Sequence, residues 1–169
     1  MQARPEKARA YGLTALARSG SWDADLGHWL SLVRSPVRPL PLDGADDDPG
    51  TRSHGEAASL TTSLPVAETR ALLQDLVAPR RLQGHEPLLA ALVLACRQWT
   101  GEDRLLVDLE GHGRDDVVGG LDLSRTVGWF TTVYPVVLNC VKDREASARQ
   151  LLDDVHDTLN AVPHCGIGY

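Results

Sequence analysis

A proline-rich, acidic stretch at residues 36–56 sets the strongest limit on how this chain of 169 residues can fold. It has an aspartate run at 46–48, little apolar content and four prolines: Pro36, Pro39, Pro41 and Pro49. Such a segment buries too little apolar surface to offset the entropy of ordering its backbone. Because structureless loops longer than ~15 residues are uncommon inside one compact domain, we predict a linker or crossover here. It would separate a short body at 1–35 from a larger one at 57–169.

The short body is predicted to be helical from residue 7 to residue 33. Ser21 is suited to cap a helix, and Asp23 and Asp25 would lie in the first turn, where the helix dipole favours negative charge. The apolar residues that follow have helical spacing and predict one buried stripe, made of Trp22, Leu26, Trp29, Leu30 and Val33.

The larger body alternates strand and helix patterns. Apolar residues alternate with Ser and Thr at 58–64, which predicts a half-buried strand, and a helix is predicted to begin at Pro65. The remaining patterns predict a helix at 87–99 with Leu88, Leu92, Cys96 and Trp99 on its apolar face, a strand at 104–110, a β-rich segment at 127–138 and a final helix at 145–162. This order predicts an α/β fold with a mixed sheet and flanking helices.

Composition and charge exclude several classes of protein. The formal net charge is −6 and no basic block is present, so neither nucleic acid nor an anionic membrane is an expected partner. No apolar run approaches the roughly 18 residues of a membrane span. The three cysteines, Cys96, Cys140 and Cys165, are widely spaced and form no CxxC pair, so we predict neither a disulfide framework nor a metal site. We expect a cytoplasmic protein with reduced thiols.

The densest cluster of chemically active side chains is the sequence Asp-Leu-Glu-Gly-His-Gly-Arg-Asp at 108–115. Alternation along a strand predicts that Asp108 and Glu110 share one face. A carboxylate at the end of a strand, followed by a flexible turn that bears His112 and Arg114, is suited to general acid or base chemistry. The same pattern also fits a plain strand-to-loop turn with solvated charges, and spacing alone leaves both interpretations open.

The four tryptophans divide into two groups. Trp22, Trp29 and Trp99 keep helical spacing, which predicts that they lie in the core. Trp129 instead follows Gly128 in the β-rich segment, so it is a candidate for a position beside the acidic cluster.

Several ordered motifs resemble those of the epimerization domains of nonribosomal peptide synthetases. They are Glu-Gly-His-Gly-Arg at 110–114, Arg-Thr-Val-Gly-Trp-Phe-Thr at 125–131, Tyr-Pro-Val at 134–136 and Pro-x-x-Gly-x-Gly-Tyr at 163–169. The helix that runs from Leu88 to Gly101 also resembles the helix that the family places before its glutamate strand. The order and spacing of these motifs fit across residues 57–169.

The resemblance implies a fold and a reaction. Epimerization domains belong with condensation domains, whose fold is a chloramphenicol-acetyltransferase-like pair of α/β lobes around a tunnel, and this chain would form part of that fold. A peptidyl carrier protein delivers an aminoacyl or peptidyl thioester on its phosphopantetheine arm, and the domain inverts the α-carbon. The resemblance implies no directly bound cofactor, and it implies other synthetase domains as partners.

The resemblance also assigns roles to individual residues. It makes Glu110 the catalytic residue and places four others at the substrate tunnel, namely His112, Arg114, Arg125 and Trp129. The family's second catalytic group is the second histidine of a His-His-x-x-x-Asp-Gly motif, and no His-His pair occurs in these 169 residues. The resemblance therefore implies a helical remnant of the first lobe at 1–35 and a truncated second lobe at 57–169, inactive alone.

The motifs are compatible with three roles for this chain. It can be part of an epimerization domain or part of a condensation domain, which forms peptide bonds. It can also be a non-catalytic remnant that only docks a carrier protein.

Overall fold

The computed structural model describes residues 5–42, 58–140 and 148–169. In chain order its main elements are α1 (Pro5–Ser19), α2 (Leu26–Val33), α3 (Val66–Arg70), α4 (Ala78–Arg80), α5 (Glu86–Thr100), β1 (Arg104–Gly111), β2 (Thr132–Asn139) and α6 (Ala148–Asn160). A π-helical segment, Ala71–Val77, joins α3 to α4, and short 3₁₀ turns occur at Asp23–Asp25 and Pro163–Gly166. The described elements form a small antiparallel sheet with helices packed on it, which agrees with the expected partial α/β fold.

The segment predicted to be helical, residues 7–33, is largely helical, but it belongs to two helices. Gly20, with a φ of +71°, ends α1, and the 3₁₀ turn then leads into α2 without a capping bond from Ser21. Within the predicted stripe Trp29 is buried, whereas Leu26, Leu30 and Val33 are exposed. The stripe prediction is therefore largely wrong, because among the described residues α2 meets the core through Trp29 and its neighbour Leu32.

The strand predicted at 58–64 is also wrong. Residues 58–65 have no regular secondary structure, and the side chains of Leu60 and Leu64 are exposed. An alternating pattern forms a strand only beside another strand with free backbone groups, and the described sheet contains only β1 and β2. The helix expected after this segment is present, with Pro65 as the N-cap of α3.

The helix predicted at 87–99 is confirmed as α5, and Gly101, with a φ of +76°, ends it. Its N–H donates to the carbonyl of Arg97 over 2.8 Å, which satisfies one of the last carbonyls of the helix. The predicted apolar face is wrong, since Leu88, Leu92 and Trp99 are exposed. The covered face lies beside the predicted one: Glu86, Ala90 and Val93 are buried, and Leu89 and Cys96 pack partly buried against the core. Cys96 is the one member of the predicted face that does so.

The register of the sheet positions the acidic cluster. β1 pairs with β2 so that Glu110 faces Val133 and Gly111 faces Thr132. The predicted alternation is confirmed, because Leu109 packs against the core while Asp108 and Glu110 are exposed. The second strand begins at Thr132, later than the β-rich pattern predicts, and residues 127–131 lie in the loop before it.

The core lies between the sheet, α5 and α6. Eleven buried residues form it, namely Trp29, Ala90, Val93, Leu105, Val136, Leu138, Cys140, Leu151, Leu152, Val155 and Val162. The final helix is confirmed over Ala148–Asn160, and the start predicted at residue 145 lies outside the described residues.

The predicted linker is described only at 36–42, where the backbone is irregular. This part is tied to the body by an ion pair between Arg38 and Glu102 at 3.0 Å and by a hydrogen bond that Arg104 donates to the carbonyl of Pro36 over 3.3 Å. Residues 43–56 lie outside the described residues, so the division into bodies at 1–35 and 57–169 remains a prediction. No helix in the described part of the chain has the length and apolar character that crossing a membrane requires.

Candidate functional site

A cavity of about 620 Å³ opens where the end of β1, the start of α5 and the end of α6 meet. Its polar lining residues are Gln83, His85, Glu86, Glu110, His112, Asp115 and Asn160. Its apolar wall is made by side chains that border the core, chiefly Leu89, Leu109, Tyr134 and Leu159. A concave site with an apolar wall and a few convergent polar groups is typical of a ligand-binding pocket.

Glu110 lines this cavity from the end of β1. Its side chain is exposed, and among the described residues no hydrogen bond or ion pair reaches its carboxylate. The backbone of β1 fixes its position, because the pairing with Val133 continues to the end of both strands. The backbone of Glu110 is therefore fixed beside the cavity, and its carboxylate is available to accept a proton from a bound molecule.

His112 and Asp115 lie next along the cavity wall. The Nδ1 atom of His112 accepts a hydrogen bond from the backbone N–H of Arg114 over 3.0 Å, and it lies 3.8 Å from the carboxylate of Asp115. Because Nδ1 is an acceptor in this arrangement, Nε2 carries the proton of the neutral ring. The His112 ring can therefore donate from Nε2 while the turn is intact.

Arg114 stabilises the loop between β1 and β2. Its Nη1 donates to the carbonyl of Leu123, and to that of Thr126 over 2.9 Å. The guanidinium also lies 4.5 Å from the centre of the Phe130 ring, a cation–π distance. The side chain of Arg114 therefore contacts later residues of its own loop, at 123–130, and is not paired with Glu110.

Arg125 and Trp129, the other two predicted tunnel residues, do not line the cavity. Both are exposed, and Trp129 has 90% of its surface open to solvent. They lie on the same loop that Arg114 braces. The structure therefore places two of the five predicted site residues, Glu110 and His112, in the cavity wall and leaves the other three on its loop.

Burial and charge modify two further groups at the cavity. Burial raises the pKa of the Cys165 thiol, and the negative charge of Asp115 raises it further. Burial likewise raises the pKa of the Tyr134 hydroxyl, with smaller contributions from Cys165 and Asp115. Both groups therefore stay protonated at neutral pH, which makes the thiol a poor nucleophile there.

A set of hydrogen-bonded polar residues that begins at the buried Glu86 in the cavity lining was not predicted from the sequence. Glu86 is 2% exposed, and its carboxylate lies 3.0 Å from Nδ1 of His156, whose Nε2 lies 2.9 Å from Nδ2 of Asn160. These residues come from α5 and α6, which are far apart in sequence. The one available signal was a glutamate directly before the helix predicted at 87–99, a place where a carboxylate ordinarily is solvated and interacts favourably with the helix dipole.

His164 and Cys165 do not form a metal centre with other described residues. Nε2 of His164 lies 3.3 Å from a carboxylate oxygen of Asp25, and its ring stacks on Trp22 at 4.8 Å between centroids. No group of three or more His, Cys, Asp or Glu residues in the described part of the chain is arranged to hold a metal ion. His164 instead connects the 3₁₀ turn at Pro163–Gly166 to the segment before α2.

The model of the Condensation domain family matches residues 10–169. The chain belongs to the condensation-domain family. Curated proteins similar to it include peptide synthetases, so the resemblance noted in the motifs is confirmed at the level of this family.

Curated relatives share about two fifths of their aligned residues with the chain. It is 40% identical over 163 residues to a linear gramicidin synthase of Brevibacillus parabrevis, and 38% identical over 167 residues to a plipastatin synthase of Bacillus subtilis (strain 168). Each alignment covers 96% of this chain but only 2% and 5% of those relatives. The chain therefore spans a small part of the length of the curated relatives that it matches.

Solved structures confirm the fold. The epimerization domain from the third module of tyrocidine synthetase B is 30% identical, with a TM-score of 0.76 over 86% of this chain and 32% of that one. The first condensation domain of the calcium-dependent antibiotic synthetase is 16% identical, with a TM-score of 0.63 over 95% of this chain and 33% of that one. The second likeness shows the fold alone, and both show that this chain corresponds to about a third of such a domain.

Proposed function

We propose that the chain is the glutamate-bearing part of a peptide-synthetase epimerization domain. The observation that carries this proposal is the position of Glu110, an unpaired carboxylate at the strand end beside a cavity, among the residues that the structure describes. The stronger likeness to an epimerization domain than to a condensation domain supports the same subgroup, in TM-score (0.76 against 0.63) and in identity (30% against 16%). The Glu-Gly-His-Gly-Arg form at 110–114 and the Arg-Thr-Val-Gly-Trp-Phe form at 125–130 also support it.

The chemistry explains why a carboxylate suits this place. Inverting an α-carbon requires that a proton leave one face and that a proton return to the opposite face. A thioester makes the α-proton more acidic than an amide does, and a general base within ~2.6–3.2 Å of that proton can remove it. Glu110 would accept this proton, and the substrate would become an enolate of the thioester. A second group on the other face would then return a proton.

The other predicted residues would act around the substrate. His112 would line the path beside Glu110, because its Nε2–H is free to donate. Arg114 would hold the loop that bears Arg125 and Trp129, and these two would face the part of the tunnel that the described residues do not contain. None of these roles requires a directly bound cofactor.

The substrate would arrive as an aminoacyl or peptidyl thioester on the phosphopantetheine arm of a carrier protein. This arm is long and flexible, so a tunnel that excludes water and holds the α-carbon against Glu110 would supply most of the required positioning. Partners would be the carrier protein and the adjoining domains of a synthetase. The alternative is a condensation reaction, in which an acceptor amine attacks the thioester carbonyl and the α-carbon keeps its configuration.

A transplant tests the proposal directly. The 169 residues would replace the matching third of the tyrocidine synthetase B epimerization domain, and inversion of a carrier-bound aminoacyl thioester would be measured by chiral chromatography. We expect inversion that Glu110→Gln abolishes and that Asp108→Asn, a matched change on the same exposed strand face, preserves. Peptide-bond formation without inversion would favour the condensation alternative, and inversion that survives Glu110→Gln would overturn the role of Glu110.

A further inference from the structure

Arg9, on the first helix, reaches the turn that follows Glu110. Its Nη2 donates to the carbonyl of Gly113 over 2.5 Å, although the two residues lie 104 positions apart in the sequence. The Arg9 side chain is only 8% exposed, and arginine is rarely buried to this extent unless its charge is compensated. A buried cation that binds a backbone carbonyl fixes that part of the backbone more firmly than a surface contact does.

Two further observations place α1 directly against the loop that follows this turn. The Arg9 guanidinium lies 5.5 Å from the centre of the Phe130 ring, the ring that Arg114 also contacts. One turn along α1, a Cβ built on Gly12 would collide with the side chain of Val118, so the missing side chain of Gly12 lets the loop approach the helix. The face of α1 formed by Arg9 and Gly12 thus receives the loop at two points.

The turn itself leaves little freedom at Gly113. Its φ is +60°, and a Cβ at this position would overlap the carbonyl oxygen of Phe130. The backbone of Gly113 is therefore close to two groups, the guanidinium of Arg9 and the carbonyl of Phe130. Since His112 and Asp115 flank this point and both line the cavity, the position of Gly113 sets where their side chains lie.

We infer that Arg9 is a positioning residue, which fixes the turn after Glu110 and so sets the geometry of His112 and Asp115 at the cavity. The inference rests on the proposed function only in naming Glu110 as the group that this turn serves. Arg9 does not line the cavity, so it acts through Gly113 and Phe130 and not on a substrate. Asp115 is its electrostatic neighbour: burial lowers the pKa of Arg9, and the charge of Asp115 opposes that lowering.

The Cys165 thiol provides a probe that needs no substrate. Cys165 lines the cavity and is an exposed residue, so a reagent can reach it. Partial burial of the thiol and the charge of Asp115 raise its pKa, so its reactivity reports where Asp115 lies. The rate of iodoacetamide alkylation of Cys165 would be followed against pH by peptide mass spectrometry, which separates it from Cys96 and Cys140. The variants would be Arg9→Met, Arg9→Lys and the control Arg18→Met, which changes an exposed arginine on the same helix.

The direction of the change decides the inference. If Arg9 holds the turn, Arg9→Met lets Asp115 move away, so the charge of Asp115 raises the pKa of Cys165 less and that pKa falls. Alkylation at pH 8 then accelerates at least about threefold, because a lower pKa leaves a larger fraction of the thiol as reactive thiolate. If the turn stays in place without Arg9, losing a positive charge raises the pKa and slows alkylation. An unchanged or slower rate in folded Arg9→Met would therefore overturn the inference.

Rescue and a double variant separate positioning from general destabilisation. Arg9→Lys keeps the charge and a donor, so it should restore the wild-type rate, whereas Arg18→Met should not alter it.

Asp115→Asn should accelerate alkylation in the wild-type background. In a protein that already carries Arg9→Met, it should have little further effect. Should Arg9→Met fail to fold, Arg9→Gln, which is too short to reach Gly113, replaces it.

The transplanted domain gives an independent activity measurement. There Arg9→Met should lower the rate of Glu110-dependent inversion by about 10²-fold, the cost of a displacement of ~1 Å at a reacting centre, and Arg9→Lys should recover most of it. Full activity in Arg9→Met would contradict the inference. Loss of inversion in every protein, together with the expected Cys165 result, would instead reject the proposed function and leave the role of Arg9 in the turn intact.

Discussion

Glu86, the first residue of α5, lies 3.0 Å from Nδ1 of His156 on α6. The carboxylate is almost fully buried, and a carboxylate can only accept, so Nδ1 of His156 donates the proton in this bond. The amide of Asn160 then meets the second ring nitrogen over 2.9 Å. These three hydrogen-bonded side chains join the two helices at the cavity that Glu110 also lines. They give the buried Glu86 carboxylate a partner, which it needs because an unpaired buried carboxylate is costly.

The first prediction concerns this pair. His156→Ala leaves the Glu86 carboxylate buried without its partner, so we expect the free energy of unfolding to fall by about 1–3 kcal/mol. Asp153→Ala removes the partner of Arg80 from a pair whose aspartate is largely exposed, and should cost at most ~1 kcal/mol. Urea unfolding at pH 7 measures both values. Equal effects would show that burial of Glu86 does not matter in solution.

Two tryptophans that the sequence pattern does not distinguish should differ sharply. Trp29 lies in the core cluster, so Trp29→Ala should destabilise the chain by about 3–5 kcal/mol. Trp99 has 62% of its surface exposed, and Trp99→Ala should cost less than ~1 kcal/mol. The same unfolding experiment compares them. A small effect at Trp29 would mean that α2 detaches from the sheet in solution.

Gly113 and Gly119 provide a matched pair for the turn. Both have a positive φ, so alanine at either position costs roughly 1–2 kcal/mol in backbone strain. A Cβ at Gly119 meets nothing within 4 Å, whereas at Gly113 it would collide with the Phe130 carbonyl. Gly113→Ala should therefore cost ~1–3 kcal/mol more than Gly119→Ala, the usual range for overpacking. Equal thermal midpoints in the two variants would contradict the described turn.

Acid should loosen the glycine-rich loop after the cavity. Asp116 accepts hydrogen bonds from the N–H groups of Gly119 and Gly120 over 2.8 and 2.7 Å, and these backbone bonds lower the pKa of its carboxyl. Because the pKa is lower in the folded state, the bonds stabilise the loop above the ordinary value of 3.8 and are lost as the pH falls below it. The amide signals of Gly119 and Gly120 should move in NMR spectra recorded from pH 6 to pH 2. In Asp116→Asn they should not follow this titration.

Local patterns in the sequence predicted the elements that depend on neighbours in the chain. Spacing and turn residues predicted three elements: the helix α5 with its terminal Gly101, the strand with Glu110 on its exposed face, and the final helix. The motifs also indicated the family, because their order is preserved over more than a hundred residues.

What the sequence did not reveal depends on contacts between distant segments. The alternating pattern at 58–64 predicted a strand, but pairing requires a second strand, and the described sheet offers none to this segment. The buried face of α5 was misassigned because α6 and β1 determine which side of the helix is covered, and helical spacing alone does not show where they pack. Arg9 carried no signal at all, since its partner Gly113 lies 104 positions away.

The last prediction concerns activity of the chain alone. Supplied with a carrier protein bearing an aminoacyl or peptidyl thioester, the 169 residues should not invert the α-carbon at a useful rate. One well-placed acid or base contributes about 10²–10⁴-fold, and only when the substrate is held within hydrogen-bond reach. The sequence contains no His-His pair to supply the second group, and Glu110 is open to solvent, where water competes for its carboxylate.

Solvent deuterium exchange at the α-carbon measures this most sensitively, because it detects proton removal even when no inversion follows. We expect no exchange above the rate of the thioester in buffer, with either the wild-type chain or Glu110→Gln. Exchange by the wild-type chain that Glu110→Gln abolishes would show that Glu110 works without a second group. If an added segment with a His-His-x-x-x-Asp-Gly motif starts exchange, and only in the presence of Glu110, the two parts form one divided catalytic site. If such a segment has no effect while Glu110 remains in place, a role limited to docking a carrier protein explains the chain better.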